Sequence, residues 1–198
     1  MSPQPESYRG SVDCTGPRSA YDESKRCTEA FLFECQRVRN LDVRVVRPFN
    51  IYGPRTRADD GRAVSNFATQ ALTGRPITVH GDGTQSRSWG YIDDIVEGFE
   101  RVFWRDHFEH RGPINIGNDR EISVIEVARH VCALVPGSRI VHMDPAPHDP
   151  TNRCPDLTTA RRLLPGWTCH IPYELGVKLT IDWFADKMRA GRRAASNG

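Results

Sequence analysis

With 198 residues, the chain is long enough for one full domain or for a piece of a larger two-lobed enzyme. Hydrophobic residues make up 38% and charged residues 26%, a balance that fits a soluble globular protein and excludes a disordered one. A net charge of +2 is too small to imply nucleic-acid binding, although Arg far outnumbers Lys, a bias that suits sites for phosphate or carboxylate.

Residues 1–20 are polar and rich in Pro and Gly, and read as a loop leading to a helix over 20–39 with Ser19 as its N-cap. Residues 41–48 are β-branched and end at Pro48, which predicts a strand. A helix followed by such a strand suggests the end of a βαβ unit in a parallel sheet. The loop Phe49-Asn50-Ile51-Tyr52-Gly53-Pro54-Arg55 then lies at the C-terminal end of a strand, where ligands sit in open α/β sheets. Beyond a charged loop at 56–62, a helix is expected over 64–72, stopped by Gly74 and Pro76.

Strands are expected at 77–80 and 86–92, joined by the turn Gly81-Asp82-Gly83, and Asp93 and Asp94 read as caps of a helix to about 104. A strand at 113–117 precedes a helix over 123–135, with Glu126 placed to complete a capping box on Ser123. A further strand over 139–143 leads into the Pro-rich, irregular stretch 144–156. Helices over 157–164 and 173–188 close the chain, and the residues from Arg189 on, Arg192 and Arg193 included, read as a disordered tail.

The six cysteines form no Cys-x-x-Cys pair. His107 and His110 lack a third ligand, so no metal is expected. No leader pattern opens the chain and no apolar run reaches bilayer length, so a cytoplasmic protein without a membrane segment is expected.

Chemistry concentrates at Tyr21 and Lys25. Four apart on a helix, they share one face about a turn apart. A phenol has an ordinary pKa near 10, and a fixed ammonium nearby favours the phenolate. The two are therefore a candidate proton-transfer pair for oxidising a hydroxyl. Taken alone, Tyr-x-x-x-Lys is a common spacing.

The company it keeps is more specific. PQPESYRG at 3–10, GPRSAYDESKR at 16–26, VRVVRPFNIYGPR at 43–55, DDGRAVSNF at 59–67, ITVHGDGTQSRSWGYIDDIVEGF at 77–99, PINIGN at 113–118 and DPTNRCPD at 149–156 occur in this order. Together they resemble the extended short-chain dehydrogenase/reductase family of nucleotide-sugar enzymes, and most closely its UDP-glucuronate decarboxylase branch.

The resemblance implies an α/β fold: the C-terminal part of a Rossmann-like parallel sheet plus a smaller α/β nucleotide-sugar-binding domain. It places the remnant of the NAD domain at 1–60, with strand 113–117 returning to it, the sugar domain at 61–190 and the tail at 191–198. In the family reaction a Tyr takes the C4 hydroxyl proton while hydride passes to NAD. The 4-keto acid then loses CO2, and the hydride is returned to give UDP-xylose. Carried over, Tyr21 is the base, Lys25 its partner and a holder of the nicotinamide ribose, and Pro48 and Arg62 lie near the cofactor. Asn50, Ser65 and Asn66 match positions around the sugar diphosphate, and Ile77, Thr78 and His80 the strand lining the uracil. Gln85, Arg87 and Arg153 match residues that grip the diphosphate and sugar, with Arg153 implicated in decarboxylation. Asp59 and Asp60 read as loop and cap residues.

The resemblance also implies a homodimer paired through the helix that bears Tyr21. The family's Gly-rich loop for the NAD pyrophosphate and its Thr/Ser-Ser-Glu segment are not found in the sequence. Three readings follow: a fragment of a nucleotide-sugar decarboxylase, a nucleotide-sugar-binding module or partner subunit, or an enzyme of the 4,6-dehydratase or epimerase branch. On the first, the chain by itself is expected to bind NAD weakly and turn over poorly.

Overall fold

A computed structural model of the chain describes residues 1–10, 12–17, 19–145 and 152–196, the last with backbone alone at 192 and 194–196. Arg18, Asp149, Pro150 and Thr151, which belong to two of the quoted motifs, lie outside the described residues.

The first helix, α1 (Ser19–Arg39), buries no residue. Ser19 is inside it rather than capping it, and its amide donates to the Gly16 carbonyl at 3.0 Å. Polar ties hold the helix to the body. Glu29 accepts from Arg47 at 2.5 and 2.9 Å, and Gln36 donates to the Val43 carbonyl at 3.2 Å.

The strand expected over 41–48 is shorter, β1 (Val46–Pro48), because the preceding residues are used otherwise. The Arg44 guanidinium donates to the carbonyls of Val102, Phe103 and Arg105 at 2.7–2.8 Å. It thereby satisfies the orphan acceptors at the end of α3 (Ile92–Phe103), a favourable place for a cation. Beside β1 runs β6 (Ile114–Ile116), parallel and fully buried, with Val46 opposite Ile114.

Asp93 and Asp94 fall in the first turn of α3 and do not cap it; Tyr91 holds the N-cap position. Asp94 is buried and instead accepts from the amides of His170 and Ile171, each at 3.1 Å. That loop brings Trp167 against Gly98, where an added Cβ would lie 3.0 Å from the indole. Ile95, Val102, Ile114, Ile116, Ala160, Leu164 and Trp167 form a core between α3, β6 and α5 (Thr158–Leu163).

A larger core joins α2 (Ala63–Leu72), α4 (Val124–Leu134) and α6 (Tyr173–Ser196) over β3 (Ile77–His80), which pairs parallel with β8 (Ile140–Met143). The Ser123–Glu126 capping box forms as the sequence predicts. The single strand expected over 86–92 divides. β4 (Ser86–Ser88) lies between antiparallel β7 (Glu121–Ser123) and parallel β9 (Asn152–Arg153), whereas β5 (Gly90–Tyr91) pairs with β2 (Ile51–Tyr52). Both β7 and β9 fall where the sequence carries no strand pattern.

α6 continues as backbone helix to Ser196, through residues expected to form a disordered tail. Ala and Arg are good helix formers, and an Arg189–Asp186 pair at 3.0 Å supports the extension.

Cys154 and Cys169 are packing residues, each with its thiol directed at a backbone carbonyl. Burial pushes the Cys154 thiol up to about 11 and the Cys169 thiol to about 12. At pH 8 the thiolate fraction of either is then about one in a thousand or less. Iodoacetamide at pH 8, followed by peptide mass mapping, is expected to mark the exposed Cys14 and Cys27 first. Cys154 and Cys169 should be spared until denaturant is added, and early labelling of Cys169 would contradict this packing.

Candidate active site

Tyr21 and Lys25 lie on one face of α1, and the Lys25 ammonium stands 5.4 Å from the centroid of the Tyr21 ring. Tyr21 is 59% exposed. Ser24 donates its hydroxyl back to the Tyr21 carbonyl at 2.8 Å.

A second cluster gathers beyond the C-terminal ends of β1 and β6. Asn50 follows Pro48 and adopts φ +39°, in the left-handed region that short amide side chains tolerate. It is held there by the strands around it, its carbonyl accepting from the Gly90 amide at 3.2 Å. Its side-chain amide donates to the Arg153 carbonyl at 3.3 Å, and the buried Ser88 hydroxyl reaches the same oxygen at 3.4 Å. In the pairing of β4 with β9, Arg87 is directly opposite Arg153. The Arg87 guanidinium also donates to the Ser86 carbonyl at 2.7 Å. The placement of the two arginines suits an anion with several oxygens, because forked donors bind phosphate and carboxylate in pairs.

Around the start of α2, Asp60 organises the expected ligand residues. It accepts from the Ser65 hydroxyl at 2.8 Å and the Arg62 amide at 3.0 Å, and its other oxygen is 3.3 Å from Arg62 Nε. Ser65 is buried and turned to this carboxylate, while Asn66 on the next step is half-buried. On β3, Ile77 is wholly buried in the core, and its amide donates to the Arg139 carbonyl at 2.8 Å. Thr78 gives its amide to Gln70 Oε1 at 3.1 Å and accepts from Gln70 Nε2 at 2.9 Å. His80 is exposed, with Nδ1 2.9 Å from the Asp144 carbonyl, and Gln85 donates to the His80 carbonyl at 3.2 Å.

The expected site residues thus fall into three groups: the Tyr21–Lys25 pair, the Asn50–Arg87–Arg153 cluster with Pro48 beside it, and the α2–β3 group of Arg62, Ser65, Asn66, Ile77, Thr78, His80 and Gln85. Reading the sequence missed Ser88, Asp60 as an organiser of α2, and Gln70. Asp60 had a usable signal, an acid five residues before a Ser at a helix start. Ser88 had none, since its partner is a backbone carbonyl 65 residues away.

A cavity of about 400 Å³ opens beside Asp119, Glu121, Asn152, Cys154, Asp156 and Arg161. Its acidic lining does not suit an anion. It is reached by Asn152, the neighbour of Arg153 on a strand whose side chains alternate in direction.

Residues 2–117 match the NAD dependent epimerase/dehydratase family. The chain belongs to that family. Curated relatives sharpen the position within it. The chain is 43% identical over 192 residues to UDP-glucuronic acid decarboxylase 5 of Arabidopsis thaliana, covering 96% of this chain and 54% of that protein. It is 40% identical over 189 residues to UDP-glucuronic acid decarboxylase 1 of Xenopus tropicalis, covering 95% of this chain and 44% of that protein. The chain thus spans about half the length of the curated relatives it matches. Among solved structures, the UDP-glucose 4-epimerase of Thermotoga maritima, crystallised with UDP-glucose, superposes with a TM-score of 0.78. It shares 26% identity, over 92% of this chain and 60% of that one. The Rossmann-like α/β fold of this epimerase/dehydratase family member follows from these matches, with β1 and β6 as parallel strands of that fold.

Among the described residues no helix is long and apolar enough to cross a membrane, and no group of three or more His, Cys, Asp or Glu is placed to hold a metal.

Proposed function

We propose that this chain carries the proton-transfer and anion-gripping residues of a UDP-glucuronate decarboxylase. The observation that carries the reading is the placement of Arg87 opposite Arg153, with Asn50 and Ser88 both fastening the Arg153 carbonyl. A doubly charged diphosphate and a sugar carboxylate are the substrate features that two Arg residues at partner positions would recognise. The decarboxylase relatives support the same choice of branch.

NAD suits the residues present, because the Lys25 ammonium stands close enough to the Tyr21 ring to serve both the phenol and a ribose hydroxyl. When bound, NAD would supply the acceptor for hydride from C4 of the sugar and its later donor. Tyr21 takes the C4 hydroxyl proton. Lys25 stabilises the phenolate and holds the nicotinamide ribose, with Pro48 and Arg62 beside the cofactor. Oxidation at C4 makes the sugar a β-keto acid, whose carboxylate leaves as CO2 with its electron pair passing into an enolate. Arg153 approaches the sugar and holds the carboxylate, and Arg87, Gln85, Asn50, Ser65 and Asn66 hold the diphosphate. The β3 segment of Ile77, Thr78 and His80 lines the uracil.

In this reading residues 1–60 with β6 form part of the dinucleotide half, and 61–190 the nucleotide-sugar half. Pairing of two copies through α1 in the cytoplasm belongs to it as well, since Phe31 and Val38 on that helix are 67% and 66% exposed.

The test is calorimetry with UDP-glucuronate on the purified chain, followed by incubation with NAD and analysis of gas and sugar products. Saturable binding that R87A and R153A each weaken about ten-fold or more is expected, with slow CO2 release and UDP-xylose as product. Conversion to a 4-epimer or a dehydrated sugar without CO2 would move the protein to a neighbouring branch, and no binding would remove the substrate assignment.

A further inference from the structure

At the other end of the β1–β6 pair, the segment between α3 and β6 folds against the end of α5 around a cleft of about 440 Å³. Arg105, His107, His110, Arg111 and Arg162 line it, opposed by the single carboxylate of Glu109. We propose that this cleft is a binding site for the diphosphate group of a small phosphorylated molecule, separate from the candidate active site.

The arginines are placed unlike their neighbours. Arg101 on α3 sits 2.6 Å from Glu97, and Arg161, the residue before Arg162, is paired with Asp119. Among the described residues, none of Arg105, Arg111 and Arg162 has a carboxylate at ion-pair distance. Asp42 comes nearest in influence to Arg111, but it is committed to Arg44 at 2.8 Å. Three guanidinium groups facing one cleft repel one another, and a polyanion between them removes that cost.

The loop is built to hold this lining in place. His107 adopts φ +50°, a conformation that costs a non-glycine residue and persists only where its surroundings impose it. The Arg105 guanidinium donates to the Leu163 carbonyl, tying the loop to α5. His110 is fixed by a contact of 3.2 Å from Nε2 to the Pro113 carbonyl, and its ring meets the edge of Phe108. Phe108 is half-buried as the floor, with the Arg44 guanidinium 5.0 Å from its centroid. Two histidines without a third metal ligand, set among arginines, do not suit a cation, and His107 has a ring N–H that can donate to an anion.

Position separates this cleft from the Arg87–Arg153 cluster. It precedes β6, whereas Asn50 follows β1, so the two lie at opposite ends of parallel strands. The volume exceeds that of orthophosphate and falls within the range of small-ligand sites.

Calorimetry on the whole chain with pyrophosphate tests the proposal, with ADP as a second ligand to distinguish free pyrophosphate from a nucleotide. With UDP-glucuronate present to fill the Arg87–Arg153 cluster, wild-type protein should bind pyrophosphate saturably, R162A about ten-fold or more weakly, and R111A/R162A not measurably. Of the two ligands, the one bound more tightly identifies the source. Both side chains are exposed, so melting temperatures should match the wild type. If the double variant does not fold, R162A alone decides. Absence of saturable binding beside UDP-glucuronate, or wild-type affinity in R162A, would overturn the site.

Discussion

Gly176→Ala is expected to cost this protein about 3 kcal/mol, at the upper end of the usual range for overpacking a core. Helix propensity by itself predicts the opposite sign, since Ala is better than Gly inside a helix by about 1 kcal/mol. Space decides. A Cβ at position 176 of α6 would lie 2.2 Å from the Tyr52 hydroxyl oxygen, 2.8 Å from Tyr91 Cδ2 and 2.9 Å from Tyr52 Cζ. The Tyr52 ring is buried, meets Tyr91 edge-on at 5.7 Å, and donates its hydroxyl to the Tyr173 carbonyl at 3.4 Å, so it has no easy retreat. Burial also holds that phenol neutral, far above its ordinary range. At about 2–4 °C per kcal/mol for a chain of this size, the melting temperature should fall by roughly 6–12 °C. Adding Tyr52→Phe removes the atom in closest conflict and should recover part of the loss, a favourable coupling that a double-mutant cycle would register. A Gly176→Ala variant as stable as the wild type would show that α6 is not held against Tyr52 in this way.

The second large effect is on chemistry. If Tyr21 is the base that takes the C4 proton, Tyr21→Phe should lower the rate of CO2 release from bound UDP-glucuronate by about a thousand-fold, within the range for losing a positioned acid–base group. Affinity for UDP-glucuronate should stay within about two-fold, because the gripping residues are on other elements. Folding is not at stake, since the ring is exposed on a helix that buries nothing. The readout is single-turnover release of labelled CO2 with binding measured in parallel. Retention of the wild-type rate would remove Tyr21 from the mechanism.

Local chemistry made much of this molecule readable before any coordinates. The capping box at Ser123 and Glu126 needs only residues three apart, and it forms as expected. The β3 strand is bounded by Pro76 and a Gly-Asp-Gly turn, and its ends agree to the residue. Tyr21 and Lys25 needed only helical spacing to be brought together. What escaped depends on partners far along the chain. Residues 86–92 form one extended run in sequence, yet β4 and β5 are claimed by different strands, and no local pattern says where the run changes partners. Asp94 looked like a cap because acids favour helix starts, but the tertiary loop at His170 and Ile171 recruited it. Ser88 and the β9 strand are visible only once residues 152–153 are laid beside 86–87.

The N-terminal segment shows what such distance means for assembly. The buried Asn115 donates its side-chain amide to the carbonyls of Gln4 and Asp156 at 2.9 and 3.1 Å and gives its backbone amide to Glu6 at 3.0 Å. Glu6 also accepts from Thr159, 153 positions downstream, and Gln4 bridges Pro155. The contacts of Gln4 with Cys154 and Asp156, and of Glu6 with Thr159, therefore cannot form until residues 154–159 have been synthesised, which at cellular rates is roughly 8–30 s after residues 4–6 were made. Until then Asn115 lacks one of its partners, the Asp156 carbonyl. The segment that leads into the Tyr21 helix is thus a late clasp: it closes over a finished body, and the geometry of the residues that follow it is fixed among the last events of folding.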